Sequence, residues 1–487
     1  MTSWAGPSIL LLVFAAGSAL AANPVGTQLD QLVELAWNHN PRVRAARRNV
    51  AETAAAVEEL DGFYDPRLVS AAGVAENGRS LPGVEGFPTT AGDRVSARVA
   101  ITKALDPGVY VTGGVTEEWV RDHDSGTNEG SRTSAGVEIR VPLMRDRGFR
   151  QLGLRQKAVV AEFTAASARL RAVRQQVRHQ VEVAFISVQQ TLAEYHIAQE
   201  ATKRFQTVVD DATELAEMGV VPEYQVFPAR MELKLRLEEE LQAERTHEVS
   251  LIRLRELLAV STIPALAGGA DLLVQWADEM SISVDYNLRR ALEARGRYQA
   301  ARYRLEAARV RVRRAEDELR PNLSVNARAT WVGEEDRHLD HTDHFSQSGG
   351  AEVLLVWTQP LGMTAERKRV EQLRQRVGAL RQELRGIQLQ LDAELETASV
   401  RFQQARKRFA LVLEAVAAAR KALQAEQERF RLGEARSRDV LDAQKDLTDA
   451  IQRQTRTASE LLRAGTDFEF FTGYDMDALS VEPRKTD

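Results

Sequence analysis

This chain is written twice. Residues 32–68 and 287–323 align without a gap at an offset of 255, so that Ala36, Arg42, Ala45, Ala46, Arg47, Pro66 and Leu68 fall on Ala291, Arg297, Ala300, Ala301, Arg302, Pro321 and Leu323. A second register, at an offset of 214, sets Gly219, Val226, Ala229 and Leu233 on Gly433, Val440, Ala443 and Leu447. A period of about 215–255 residues is far longer than a solenoid or propeller unit, so it marks duplication of a whole half. Each half has the same order of parts: a helix, short strands, a very long helix, a tight turn and a further helix. The halves are read as 23–270 and 271–475, with a polar tail at 476–487.

Helix is expected at 27–62, 145–217, 223–260, 281–318, 363–430 and 437–472, where Ala, Leu, Glu, Gln and Arg dominate. Apolar residues recur there at three- and four-residue steps, as in Val181, Phe185, Val188, Leu192 and Tyr195. The two longest segments, at 1.5 Å per residue, would each span roughly 100 Å, a rod that no ordinary globular core requires. In each half the two shorter helices sum to about the length of the long one, so stacked end to end they would lie along it.

The strand segments alternate. In 134–143, Ala135, Val137, Ile139, Val141 and Leu143 take one side and Ser134, Gly136, Glu138 and Arg140 the other. The same pattern holds at 94–102, 323–331 and 351–357. Alternation alone suits a half-buried soluble sheet as well as a lipid-facing one. Nothing else in either half offers a layer to cover the apolar side, which favours lipid. Between Pro66 and Pro142 lie 76 positions, but between Pro321 and Pro360 only 39. The difference fits one extra hairpin, with strands near 94–102 and 108–116 joined at Leu105-Asp106-Pro107-Gly108. Polar, glycine-rich loops are expected at 77–92, 120–132 and 333–347. Trp331 and Trp357 suit a membrane interface.

Residues 1–22 have the form of a secretory signal, with an apolar run at Ile9–Ala16 and a small-x-small site at Ala19-Leu20-Ala21. That run is too short to span a bilayer, and no other segment offers about 18 uninterrupted apolar residues. A membrane could therefore be crossed only by a closed β-barrel. There is no cysteine, which excludes disulfides and N-terminal lipidation. Charged residues make up 28 % of the chain, yet the net charge is only −5, so the basic excess of a nucleic-acid binder is missing.

One chain supplies four strands, or six with the extra hairpin, whereas the smallest membrane barrels have eight. An open sheet would leave unpaired backbone in lipid at several kcal/mol per group. Copies of the chain must therefore share one barrel, and a cyclic homo-oligomer does so by symmetry. Three copies give twelve strands, or up to eighteen.

The chain resembles the TolC-like outer-membrane efflux proteins along nearly its whole mature length. The resemblance rests on the Asn40-Pro41 start, the Asp65-Pro66 helix-to-strand switch, the Val141-Pro142-Leu143 exit and the two helix tips. The most specific stretch is 430–443, Phe-Arg-Leu-Gly-Glu-Ala-Arg-Ser-Arg-Asp-Val-Leu-Asp-Ala. The resemblance implies a mostly α fold: a homotrimer with a shared β-barrel in the Gram-negative outer membrane and an α-helical barrel forming a tunnel through the periplasm. It also implies an exit duct for efflux or type I secretion that docks onto a periplasmic adaptor and an inner-membrane transporter. No cofactor is expected.

Gly219 and Gly433 close the long helices, as glycine does at helix ends. Ser437 suits the N-cap of the last helix, with Asp439 in its first turn, and Pro222 suits a first-turn position at the other tip. Pro228 removes a donor inside the helix expected from 223 and should bend it. Asp439 and Asp442 share a helix face. By the resemblance they are the periplasmic gate, six carboxylates around one constriction that would concentrate cations. Read without it, Asp439 only favours the helix N-terminus and Asp442 is an exposed acid. The resemblance also makes Gly219, Val220, Gly433, Glu434, Arg436 and Ser437 the adaptor-docking surface. The family's closing arginine and tyrosine are replaced here by Ala435 and Phe430, and its first-tip acid by Gln225.

His338, His341 and His344 are spaced by three among Asp336, Asp340 and Asp343, a pattern that Zn or Cu could use, but a polar surface loop is the favoured reading. No metal is assigned. There is no phosphate-binding loop, His-Glu-x-x-His or nucleophile elbow, so no enzyme is expected. The rival reading is a periplasmic coiled-coil adaptor or scaffold whose strands form a soluble β-domain.

Overall fold

The computed structural model describes residues 24–77, 92–122, 129–219, 223–264, 266, 268–335, 349–431 and 437–473. Its elements in chain order begin with α1 (Pro24–His39) and α2 (Pro41–Glu58). Four strands follow: β1 (Arg67–Asn77), β2 (Gly92–Leu105), β3 (Val109–Asp122) and β4 (Glu129–Pro142). Then come α3 (Arg150–Glu217), α4 (Val226–Leu258), α5 (Ala270–Glu279), α6 (Leu288–Ala294) and α7 (Gly296–Glu318). The chain closes with β5 (Asn322–Glu335), β6 (Gly349–Thr358), α8 (Thr364–Arg431) and α9 (Ser437–Thr472). Helices α3 and α8 are each 68 residues long.

These elements form two compact units, and each draws on both halves of the sequence. One comprises Met1–Ala45, Arg171–Arg295 and Gln390–Asp487; the other comprises Ala46–Leu170 and Gly296–Leu389.

In the first unit, α5 lies against α9. Leu273 and Ala277 of α5 are buried with Ile186, Phe402, Phe409, Ala458, Leu461 and Leu462. This helix is absent from the sequence expectation. It has ten residues, and Gly269 precedes it without a side-chain cap, so Asp271 in its first turn is too little to mark its start. A smaller cluster joins Ala291, Leu391 and Leu395.

Two expected helices are in fact broken. The 27–62 segment divides at Asn40, because Pro41 disfavours helical geometry at the residue before it. Asn40 uses the break: its Oδ1 accepts from the Arg42 N–H at 2.9 Å, and its Nδ2 donates to the Leu257 carbonyl at 2.8 Å, satisfying an acceptor at the end of α4. The 281–318 segment is helical only from Leu288, where the Asn287 side chain accepts from the Arg289 and Arg290 N–H groups as N-cap. It breaks again at Arg295, 255 positions after Asn40.

The second unit holds the sheet and the helix segments beside it. All six strands form one antiparallel sheet in the order β1-β2-β3-β4-β5-β6, so the extra hairpin, β2 and β3, is built into it. β3 runs to Asp122 and β4 starts at Glu129, so most of the loop expected at 120–132 is strand. The β2–β3 turn seats against the chain entering α3. Gly108 has φ +105°, and a Cβ there would lie 2.6 Å from the Gly148 Cα, so this position requires glycine. Phe149 holds φ +53°, a left-handed conformation costing ~1–2 kcal/mol for a bulky residue. It is offset by edge-on packing with Phe63 and Tyr110 at 5.2 and 5.1 Å between ring centres. Beside it the buried Asp317 carboxylate accepts from Gln151 Nε2 at 2.8 Å and lies 3.5 Å from both the Arg150 and Arg320 guanidinium groups.

The buried residues of α8 repeat by seven. Val370, Val377, Leu391 and Ala398 keep one register, and Leu395, Phe402, Phe409 and Val416 the other. Seven-residue periodicity is what lets helices stay in contact along their length.

Candidate membrane surface and helix tips

The strand register sorts the sheet into two chemically distinct faces. Residues directly opposite each other in neighbouring strands share a face. One such row runs Leu68, Ile101, Gly113, Val137, Ala329, Ala351. The next runs Ser70, Val99, Val115, Ala135, Trp331, Gly349. This face is apolar and open: Leu68, Val74, Val353 and Leu355 are all well over half exposed. An exposed apolar surface of this extent is foreign to a water-facing sheet.

Its ends carry tryptophans. Trp331 pairs with Gly349, and Trp357 pairs with Leu323, eight residues lower on β5. At about 3.4 Å per residue and a strand tilt of about 40°, those eight steps rise roughly 21 Å, close to the height of a membrane barrel's apolar band. Trp119 lies on the same face, opposite Ser131 and at the same end as Trp331. Between the two tryptophan levels at that end Glu117 accepts a hydrogen bond from Thr133.

The other face is polar on the four inner strands. One row runs Thr102, Thr112, Glu138, Arg328, Glu352. Arg94 pairs with Glu118 at 2.9 Å, and the Thr102 and Thr112 hydroxyls lie 2.9 Å apart. No described helix is long and apolar enough to cross a membrane.

At the first tip, Gly219 ends α3 with φ +72°, and its N–H donates to the Ala216 carbonyl at 3.0 Å. Val220 and Pro222 lie outside the described residues. The helix expected from 223 begins as one 3-10 turn, and α4 itself starts only at Val226. Pro228 is thus the third residue of α4, where the backbone nitrogen has no intrahelical acceptor. No bend is needed there, contrary to the sequence expectation. Tyr224, Phe227, Met231 and Leu235 form an exposed apolar stripe running from this tip along α4, each at least half exposed. The three- and four-residue spacing was visible in the sequence, but which side of the helix lacked a partner was not.

At the second tip, Gly433, Glu434 and Arg436 lie outside the described residues, and α9 begins at Ser437. Asp439 in its first turn and Asp442 are both exposed. His338, His341 and His344 lie outside the described residues. Among the described residues no group of three His, Asp or Glu could hold a metal.

A cavity of about 460 Å³ opens in the first unit between α3, α4 and α9, lined by residues that include His179, Val183, Ser250, Arg253, Leu257 and Arg463. His179 Nε2 lies 3.3 Å from Asp467 Oδ1, and its ring stacks on Phe470 at 4.4 Å. Burial and then the Arg295 cation hold its pKa down to about 4, while burial raises that of Asp467. The contact is therefore one between a neutral imidazole and the carboxyl group rather than an ion pair.

The family model described as outer membrane efflux protein matches residues 32–260 and 287–473. Solved structures of the same fold include VceC from Vibrio cholerae, at 17 % identity and TM-score 0.63, covering 92 % of this chain and 96 % of that one. The CmeC outer-membrane channel of Campylobacter jejuni is similar at 14 % identity and TM-score 0.65, over 92 % and 85 % of the two chains. The open-state MtrE outer-membrane channel of Neisseria gonorrhoeae is similar at 15 % identity and TM-score 0.63, over 92 % and 89 %. No curated protein matches the sequence.

Proposed function

The chain belongs to the outer membrane efflux protein family, and from that premise we propose that three copies close a β-barrel in the Gram-negative outer membrane and continue it as a helical tunnel in the periplasm. In this reading residues 1–22 direct export and are removed. The channel is a passive exit duct for a tripartite efflux pump or a type I secretion system. The family is one of channel proteins, so the energy for export comes from an inner-membrane transporter, coupled through a periplasmic adaptor.

The observation that carries this reading is the two-faced sheet. Its apolar face is exposed and ends in tryptophans at both levels, whereas its other face carries Arg94, Arg98, Glu138 and Arg328. Lipid on one side and water on the other satisfies both faces at once. The tips are the docking ends: Gly219, Val220, Gly433, Glu434, Arg436 and Ser437 would meet the adaptor, with the exposed stripe Tyr224, Phe227, Met231 and Leu235 beside them. Asp439 and Asp442 of the three copies would ring the periplasmic mouth.

Fractionation and single-channel recording test this together. The protein should partition with outer membranes, require detergent, run as a heat-modifiable trimer and conduct in planar bilayers. A monodisperse monomer in plain buffer with no lipid affinity would overturn it and return the adaptor reading.

A further inference from the structure

The six-stranded sheet has two open edges, β1 and β6, and both are exposed along their described length on both faces. Long exposed apolar edges are templates for further strand pairing. Here the two edges are made for each other in four respects.

The first is parity. Six strands alternate in direction, so β6 of one copy and β1 of the next run antiparallel, and a ring of copies has no parallel seam. The second is composition. The face that is polar on the inner strands turns apolar at the edges, with Val69, Ala71 and Ala75 on β1 and Leu354 and Val356 on β6. Val69 and Leu354 are 56 % and 49 % exposed, which suits contact with apolar residues of a neighbouring copy rather than with water.

The third is length. Joining Leu354 to Ala71 pairs every residue of β6, from Gly349 opposite Glu76 to Thr358 opposite Arg67. It also sets Trp357 on Leu68 and Val356 on Val69 and keeps the apolar faces continuous. A shift by one residue would invert the faces. The fourth is stagger. Within one copy the row that starts at Arg67 reaches Glu352, so a seam placing Thr358 opposite Arg67 steps by six residues per copy. Over three copies and eighteen strands that step corresponds to a strand tilt of about 35°, within the range of closed barrels.

Resting on the trimeric barrel reading above, we propose that β6 of each copy pairs with β1 of the next copy of this chain in the Leu354–Ala71 register, closing an eighteen-stranded barrel. The extra hairpin thereby sets the bore. By strand spacing and tilt, eighteen strands enclose a backbone cylinder about 35 Å across, against about 24 Å for the twelve that the chain would supply without β2 and β3.

The chain has no cysteine, so paired cysteines can read the register in the whole protein, in isolated outer membranes. Five strand spacings, about 24 Å, separate the two edges within one copy, so any short bridge must join different chains. The variant carrying Leu354→Cys and Ala71→Cys is oxidised or treated with a short bismaleimide, then run without reductant. A covalent ladder ending at three chains is expected, and Val356→Cys with Val69→Cys should repeat it. Two-residue slips are read by Leu354→Cys with Gly73→Cys and by Leu354→Cys with Val69→Cys. A stronger ladder from either slip would overturn this seam while leaving the barrel standing. A native trimer that bridges in none of the four pairs would overturn the β6–β1 seam, again leaving the trimer. A monomer that bridges in none would overturn both.

Discussion

Asn40 and Arg295 stand 255 positions apart and perform the same task. Each sits at the matching helix break of its half, between α1 and α2 or between α6 and α7, and each donates a side-chain hydrogen bond to a carbonyl near the end of that half's last helix. Asn40 Nδ2 reaches Leu257 at 2.8 Å, and Arg295 Nη1 reaches Phe470 at 2.6 Å. The chemistry has diverged while the geometry has been kept. Arg295 adds a cation–π contact, its guanidinium lying 4.0 Å from the Phe470 ring centre.

Removing either clasp should be costly. Arg295→Ala loses the hydrogen bond and the ring contact, and is expected to destabilise the protein by about 2 kcal/mol. Asn40→Ala strands a carbonyl in a buried setting and should cost about 1–3 kcal/mol. Thermal unfolding in detergent measures both, and unchanged transition temperatures would contradict the assignment.

The His179 site predicts acid sensitivity. Burial and the nearby Arg295 cation hold its pKa at about 4 in the folded protein, below the ordinary histidine value of 6.5. The folded state binds the proton less readily than the unfolded chain, so this contribution to stability is complete above pH 6.5 and is lost as pH falls toward 4. The buried Nδ1, with no described acceptor, makes the charged form worse still. Replacing His179 with Gln should flatten the stability profile across that window, as followed by unfolding midpoints at stepped pH.

Phe402 is 1 % exposed at the centre of the cluster shared by α5, α8 and α9. Phe402→Ala should destabilise by about 3–5 kcal/mol through lost burial and the cavity left behind. Chemical denaturation reports it, and a loss below 1 kcal/mol would mean that the cluster is not a packed core.

The two faces of the sheet should respond oppositely to charge. Val137→Arg, on the apolar face of β4, is expected to cost about 2–4 kcal/mol in the membrane-inserted protein. Thr112→Lys, on the polar face, should be tolerated. Folding into lipid vesicles followed by gel mobility distinguishes them, and equal tolerance would remove the lipid assignment.

The gate proposal predicts selectivity. Asp439→Asn with Asp442→Asn should lower the preference for cations over anions by roughly two- to fivefold, because fixed negative charge at a constriction enriches cations. Reversal potentials under a salt gradient measure it, and unchanged selectivity would detach these acids from the pore.

Much of the fold was readable because its signals are long. The 68-residue helices repeat their apolar residues many times over, and the alternation of Ala135, Val137 and Ile139 needs no context. Helix breaks were harder. Pro41 announces the first, but Arg295-Gly296 has no proline, and the bond that holds it comes from α9, far along the chain. The ten residues of α5 are too few for a period to declare itself. The place of the extra hairpin depended on its outer pairings with β1 and β4, which alternation within a single strand does not encode. At the tips, Gly219 and the start of α9 at Ser437 were legible as helix punctuation, but the exposure of Phe227 and Met231 depends on what fails to pack on them.

The order of strands has a consequence for biogenesis. β1 to β4 are neighbours in sequence, and Leu105 meets Val109 across a short turn. Pro142 meets Ser324 only after 182 further positions. By chain-closure entropy that junction costs about 3–4 kcal/mol more than the tight turn. The four early strands are therefore expected to zip first and to wait, one flank bare, until the late pair arrives. A ribosome-stalled or truncated product ending before β5 should be the species most in need of a chaperone, and the most prone to pair with the wrong neighbour.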